Sequence, residues 1–135
     1  MPGTVDLWLG TATDRDAFDA YFAESYEDEL APISPFAESQ GETFYDHDFL
    51  ETQFDGACTT IDDALQTISF SGSFADAARE RIPDGEFNLI VAFFGDAFTN
   101  PRSGRAEDVE LTYLGRFPYD PKSGSLAAED RPARL

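Results

Sequence analysis

The stretch YDHDFLETQFD, residues 45–55, is where side chains able to do chemistry crowd closest. Four carboxylates, Asp46, Asp48, Glu51 and Asp55, surround His47, the only histidine of the 135-residue chain. His47 and Glu51 stand at i, i+4, a spacing that puts two side chains on one helix face, where they could share a metal ion. A zinc site takes three or four Cys, His or carboxylate ligands, and beyond His47 the chain offers one thiol, Cys58, eleven residues on. Any cation would thus be held almost wholly by oxygen. The segment also lacks the glycine at position six and glutamate at position twelve of a calcium-binding EF-hand loop. The expectation is no metal site and no cofactor.

Other chemistries are signalled no better. Cys58 lies in GACTT, with no neighbour that would lower a thiol pKa. No G-x-S-x-G elbow frames a serine, and neither G-x-x-x-x-G-K-[ST] nor G-x-G-x-x-G offers a phosphate cradle. Paired carboxylates for general acid–base work are always available among 27 acids, so abundance alone argues nothing. The chain reads as a binding protein and not an enzyme. What remains for the acids of 45–55 is a surface to be held by something positive.

The charge distribution supports that reading. Formal net charge is −18, and residues 14 to 63 carry 15 acids against one base, Arg15. Such a field attracts basic proteins and repels nucleic acid and anionic membranes, so neither is expected as a direct partner. A competing source of acidity is adaptation to salt. It would also leave a chain poor in lysine, and Lys122 is the only one; a GC-rich genome has the same effect on lysine. Adaptation spreads acids evenly, however, and here they cluster in the first half. A lone cysteine, no long apolar run, and a start (MPGTVDLWLG) without a basic region lead to an expected cytoplasmic location.

The elements that must position these residues follow from periodicity. Residues 4–9 alternate Val5, Leu7 and Leu9 against Asp6 and Trp8, as a strand does. Thr13 and Asp16 form a capping-box-like pair that opens a helix over about 14–26, with Phe18, Tyr21, Phe22 and Tyr26 on one stripe. Residues 27–43 read as loop, with a helical turn from Pro35 through Ser39. For 45–55 a helix separates Phe49, Leu50 and Phe54 from Asp48, Glu51 and Asp55 better than a strand does. Short helices are expected over 61–67, after Thr60, and over 74–82, capped by Ser73, with Phe74, Ala77, Ala78 and Ile82 inward. A turn at Pro83–Gly85 leads to FNLIVAFF, residues 87–94, an unbroken apolar run suited to a strand covered on both faces. DVELTYLGRF, from Asp108, alternates Val109, Leu111, Tyr113 and Gly115 with Glu110, Thr112 and Leu114. These last two strands read as an antiparallel hairpin with a long tip. The result is one α+β domain over residues 1–119, a small mostly antiparallel sheet with helices packed on it, followed by a polar surface tail, 120–135. Trp8 faces away from Val5, Leu7 and Leu9. It either covers a second small core, the favoured reading, or stands exposed as a binding anchor.

Several of these pieces resemble a known family. VDLWLGTATDRDAFDAYF, then YDHDFLE, then SFSGSF and a hydrophobic strand leading to a last Tyr/Phe-rich strand, are similar to immunity protein 22 over about Thr4 to Tyr119. Those are small bacterial proteins encoded beside polymorphic toxins. The resemblance implies neutralisation of a toxin, often a nuclease, by direct binding, and supplies no catalytic residues. A nuclease must carry a basic groove for phosphate, for which an acidic surface can compete. Asp46, Asp48, Glu51 and Asp55 are the expected partner-facing charge, with Asp28 and Glu29 next and Trp8 the candidate anchor. Two alternatives stay open. One is a nucleic-acid mimic or adaptor for another basic protein; the other is a small carboxylate-based metal binder or enzyme, which would need a cleft around His47.

Overall fold

A computed structural model describes residues 3–28, 30–54, 64–65, 68–82, 87–95, 98–106 and 108–124. Five strands make one antiparallel sheet in the order β2-β3-β1-β5-β4. They are β1 (Gly3–Ala12), β2 (Leu50–Phe54), β3 (Leu89–Phe94), β4 (Gly104–Arg105) and β5 (Val109–Tyr119). The helices are α1 (Arg15–Phe22), α2 (Pro35–Ser39) and α3 (Ala75–Arg79), with 3-10 turns at His47–Phe49 and Ser71–Ser73. The α+β expectation holds.

The expected hairpin between the last two long strands does not form. β1 lies between β3 and β5, pairing Trp8 with Val91 on one side and with Tyr113 on the other. The reason lies in burial: β1 and β3 are buried on both faces, so each is most stable with a strand on both sides and a layer above and below. One face of the sheet (Val5, Leu7, Leu9, Ile90, Ala92, Phe94) packs on Leu65, Ile68, Phe74 and Ala78. The other (Trp8, Leu89, Val91, Phe93, Val109, Leu111) packs on Phe18, Tyr21, Phe36, Tyr45 and Phe98.

Trp8 is therefore wholly buried, in a second core as large as the first, and the exposed-anchor reading is corrected. Phe36 and Phe98 meet its ring edge-on, with centroids 5.2 and 5.9 Å away. Burial is tolerable because the indole N–H donates to the Arg102 carbonyl at 2.9 Å. Gln40 braces that loop, donating to the same carbonyl and accepting from the Arg102 N–H at 2.7 Å.

In β5 the register slips between Leu7 and Trp8, whose partners are Gly115 and Tyr113, so Leu114 is an extra residue. Such a bulge reverses which side chains face which core. Leu111 and Tyr113 pack with Trp8, whereas Leu114 and Phe117 pack with Leu7. The simple alternation expected along this strand breaks at Gly115, whose φ of 136° suits glycine.

The helices are shorter than their patterns suggest. In α1 the cap is Asp14, accepting from the Ala17 N–H at 2.8 Å, while the Thr13 N–H is spent on the Asp108 carbonyl. The helix stops at Phe22, and Ala23 turns extended. Phe18 and Tyr21 are buried as expected, but Tyr26 lies beyond the helix and points outward. The turn expected at Pro35 is α2, capped by Ser34. Ser73 does not cap α3: its hydroxyl donates to the Phe70 carbonyl and accepts from the Asp120 N–H. Phe74 and Ala78 are buried as expected, but Ile82 falls past the helix end and is exposed. Of the helix expected over 61–67 only Ala64 and Leu65 are described, both helical and buried. Cys58, the Pro83–Gly85 turn and residues 125–135 lie outside the described residues. Of the expected tail, residues 120–124 fold back on the Phe70–Ser73 turn, where the Gly72 N–H donates to the Gly124 carbonyl.

Candidate partner interface

Over its described residues, 45–54, the segment 45–55 is not a helix. Asp46 caps a single 3-10 turn, its Oδ1 accepting from the Asp48 N–H at 3.0 Å, and the chain then enters β2, an edge strand paired with β3 from Leu50–Phe93 to Phe54–Leu89. Strand geometry sends Leu50, Thr52 and Phe54 to one face and Glu51 and Gln53 to the other. Leu50 and Phe54 do pack on the core, as expected, whereas Phe49, in the turn, is more than half exposed.

Leaving α1 at Ala23, the chain runs back across this turn. The Ser25 N–H donates to the Ile33 carbonyl at 2.7 Å, and the Ile33 N–H donates to the Thr43 carbonyl at 2.9 Å. Two loops, 23–33 and 43–49, are thereby laced together, with Ile33 and Tyr45 as their buried pegs. Glu24 sits at the crossing. Its Oε1 accepts from His47 Nδ1 at 3.0 Å and from the Tyr26 hydroxyl. A carboxylate offers only acceptors, so the His47 proton on that side belongs to Nδ1. His47 Nε2 lies 3.5 Å from Asp48 Oδ1.

This placement alters the phenols. The bond to Glu24 raises the Tyr26 pKa, with Asp46 adding to it. Tyr45, beneath, is pushed up to about 12, chiefly by burial and further by Glu24. His47 is thus a brace between carboxylates. Among the described residues no group of three or more His, Cys, Asp or Glu side chains is arranged to hold a metal ion. One shallow depression, lined by Ala17, Ala20, Tyr21, Pro35 and Val109, lies against α1 and does not include His47.

The expected site residues divide accordingly. Asp46 and Asp48 are exposed and share one neighbourhood with Glu24, Tyr26 and His47. Asp28 is exposed in the facing loop, where its carboxylate accepts from the Leu30 N–H at 3.0 Å. Glu51 is drawn away: half-buried, it accepts from the Ser69 N–H at 2.9 Å on the opposite side of the sheet. Glu29 and Asp55 lie outside the described residues, and Trp8 is in the core. Sequence reasoning missed Glu24, Tyr26 and Phe44. Only the early stop of α1, which carries neither glycine nor proline, frees Tyr26 and brings Glu24 onto His47.

No curated protein and no solved structure matches the chain. No helix among the described residues is long and apolar enough to cross a membrane. One family model, described as immunity protein 22, matches residues 5–120, which takes in β2 to β5, β1 from Val5 onward and the laced loops, and the chain belongs to that family.

Proposed function

We propose that this protein binds and neutralises a basic cognate toxin, a nuclease, through the acidic surface around Asp46 and Asp48, with Asp28 and Glu24 extending it. Family membership supports toxin neutralisation. The observation that favours a basic nuclease is the placement of charge: 15 acids and one base in residues 14–63, with Asp46, Asp48 and Asp28 exposed on two braced loops. A nuclease must gather phosphates in a positive groove, and a pre-formed acidic face can occupy or border it without chemistry of its own. The action is occupancy, not catalysis. We assign it to residues 1–119, with 120–135 as an accessory tail, and to the cytoplasm, where DNA and RNA need protection.

The test is to titrate the nuclease activity of the toxin encoded beside this gene with the purified full chain. Loss of activity at one equivalent, with an unrelated basic nuclease unaffected, supports the proposal. Equal inhibition of both would replace it with a general nucleic-acid mimic, and no inhibition of either would overturn it.

A further inference from the structure

Large apolar side chains stand out of this surface where the charge does. Tyr26 is 57% exposed, Leu30 90%, Phe44 61% and Phe49 52%. All four belong to the two laced loops, and the fifth exposed large hydrophobe among the described residues, Ile82, lies past the end of α3. Single exposed apolar residues are ordinary, but several in one neighbourhood on an otherwise strongly charged surface mark an interaction site.

The loops have not failed to fold. They bury Ile33 and Tyr45 while presenting Phe44 and Phe49 from the same few residues. Their backbones are bonded, by Ile33 to Thr43 and, within the turn, by Phe49 N–H to the Asp46 carbonyl at 3.0 Å. Tyr26 is held by its hydroxyl on Glu24, the carboxylate that also takes His47. The Tyr26 ring and the backbone that carries Phe44 and Phe49 are therefore pre-set, and binding loses less freedom in ordering them. Carboxylates border them: Asp46 and Asp48 stand just before Phe49 in the same turn, and Glu24 contacts Tyr26.

Resting on the toxin-neutralising reading, we infer that Tyr26, Phe44 and Phe49 are the anchors that keep the toxin bound, while Asp46 and Asp48 speed its arrival. The partner face this fits is an apolar recess bordered by arginines. A guanidinium can pair with a carboxylate and also lie over a neighbouring ring, which a lysine ammonium does less well. Aromatic anchors inside a charged rim divide the work in this way: desolvated rings govern dissociation, and rim charge governs association.

The experiment measures association and dissociation rates of the catalytically inactivated toxin from the neighbouring gene, at low and high salt. The full chain is compared with Phe44→Ala, Phe49→Ala and Tyr26→Phe, and with the pair Asp46→Asn plus Asp48→Asn. Thermal melts confirm that each variant is folded. Phe44→Ala and Phe49→Ala should each speed dissociation by about tenfold or more, with association changed less than about twofold at either salt. The Asn pair should slow association several-fold at low salt only. Tyr26→Phe keeps the ring but frees it from Glu24, and should speed dissociation by less than either Phe44→Ala or Phe49→Ala. Should the parent bind while the Phe44→Ala, Phe49→Ala double variant, folded, dissociates at the parent's rate, the anchor assignment is overturned and the neutralising reading survives. Failure of the parent itself to bind would overturn both.

Discussion

At the scale of single residues, the most consequential side chain is one that sequence periodicity places only opposite Val5, Leu7 and Leu9. Asp6 is fully buried in the central strand, where Arg116 grips both its oxygens at 3.0 Å and the Tyr113 hydroxyl adds a third bond at 2.5 Å. Arg116 is itself fixed by the Phe98 carbonyl. Nothing near Asp6 in sequence announces this, because its partners stand more than a hundred residues away. Arg116→Met should leave a buried carboxylate without its counter-ion and cost about 3 kcal/mol, as partner removal from buried pairs does. Chemical denaturation would read this, and adding Asp6→Asn should recover part of the loss. Tyr113→Phe removes only one bond to the charged group and should cost about 1.5–2 kcal/mol.

The phenols supply a pH signature at the same scale. Burial raises Tyr45 to about 12, from 10.0 in the unfolded chain, and Tyr113 and Tyr21 are raised too, again mainly by burial. The native state thus keeps protons that the unfolded state releases. Their contribution is complete below pH 10 and declines as pH climbs toward the native pKa. Melting temperature should fall steadily above pH 10, and Tyr45→Phe should make that fall shallower without abolishing it. An unchanged slope in that variant would contradict the burial account of Tyr45.

At the scale of elements, strand sequences were readable and their partners were not. TVDLWL and LIVAFF announce themselves through apolar and β-branched residues, and β1 and β3 stand where expected. Which strand lies between which depends on covering both faces of β1 and β3, a property of the whole sheet. The 45–55 segment misled because i, i+3, i+7 spacing of Asp48, Glu51 and Asp55 fits a helix, while strand pairing with β3 offers more. The consequence is functional, since Glu51 becomes a structural acceptor. Glu51→Ala should leave the Ser69 N–H without its partner and cost about 1–2 kcal/mol. It should change association with the toxin far less than Asp48→Asn, and a larger kinetic effect at Glu51 than at Asp48 would reverse that assignment.

Gly10 and Gly115 test how closely β1 and β5 fit. A Cβ on Gly10 would stand 1.9 Å from the Glu110 carbonyl oxygen, a backbone atom that cannot move aside without parting the strands. At Gly115 the obstacle is the φ of 136°, since the nearest atom is the mobile end of Arg81. Gly10→Ala should therefore be the more damaging, and Gly115→Ala should cost about 1–3 kcal/mol in unfolding free energy. Equal effects would mean that the β1–β5 contact is looser than described.

At the scale of the whole molecule, the clustering of acids in residues 14–63 was legible from the sequence, and Asp46, Asp48 and Asp28 prove exposed within it. The aromatic rings among them were not legible. Tyr26 and Phe49 sit at spacings that suit a core stripe, and only the end of α1 at Phe22 and the 3-10 turn at His47–Phe49 turn them outward. The outcome is a sheet closed on both faces, with two braced loops that present charge and rings together. A partner of opposite charge should be drawn to that surface from beyond contact distance, and dissolved salt should screen the attraction.

The most direct measurement is the association rate between the intact chain and the inactivated toxin from the neighbouring gene, followed by stopped-flow across a range of ionic strength. A rate that falls by on the order of tenfold or more between about 0.02 and 0.3 M salt, while dissociation changes little, is the expected result. A salt-independent association rate, or no association at all, would contradict neutralisation of a basic toxin by this acidic face.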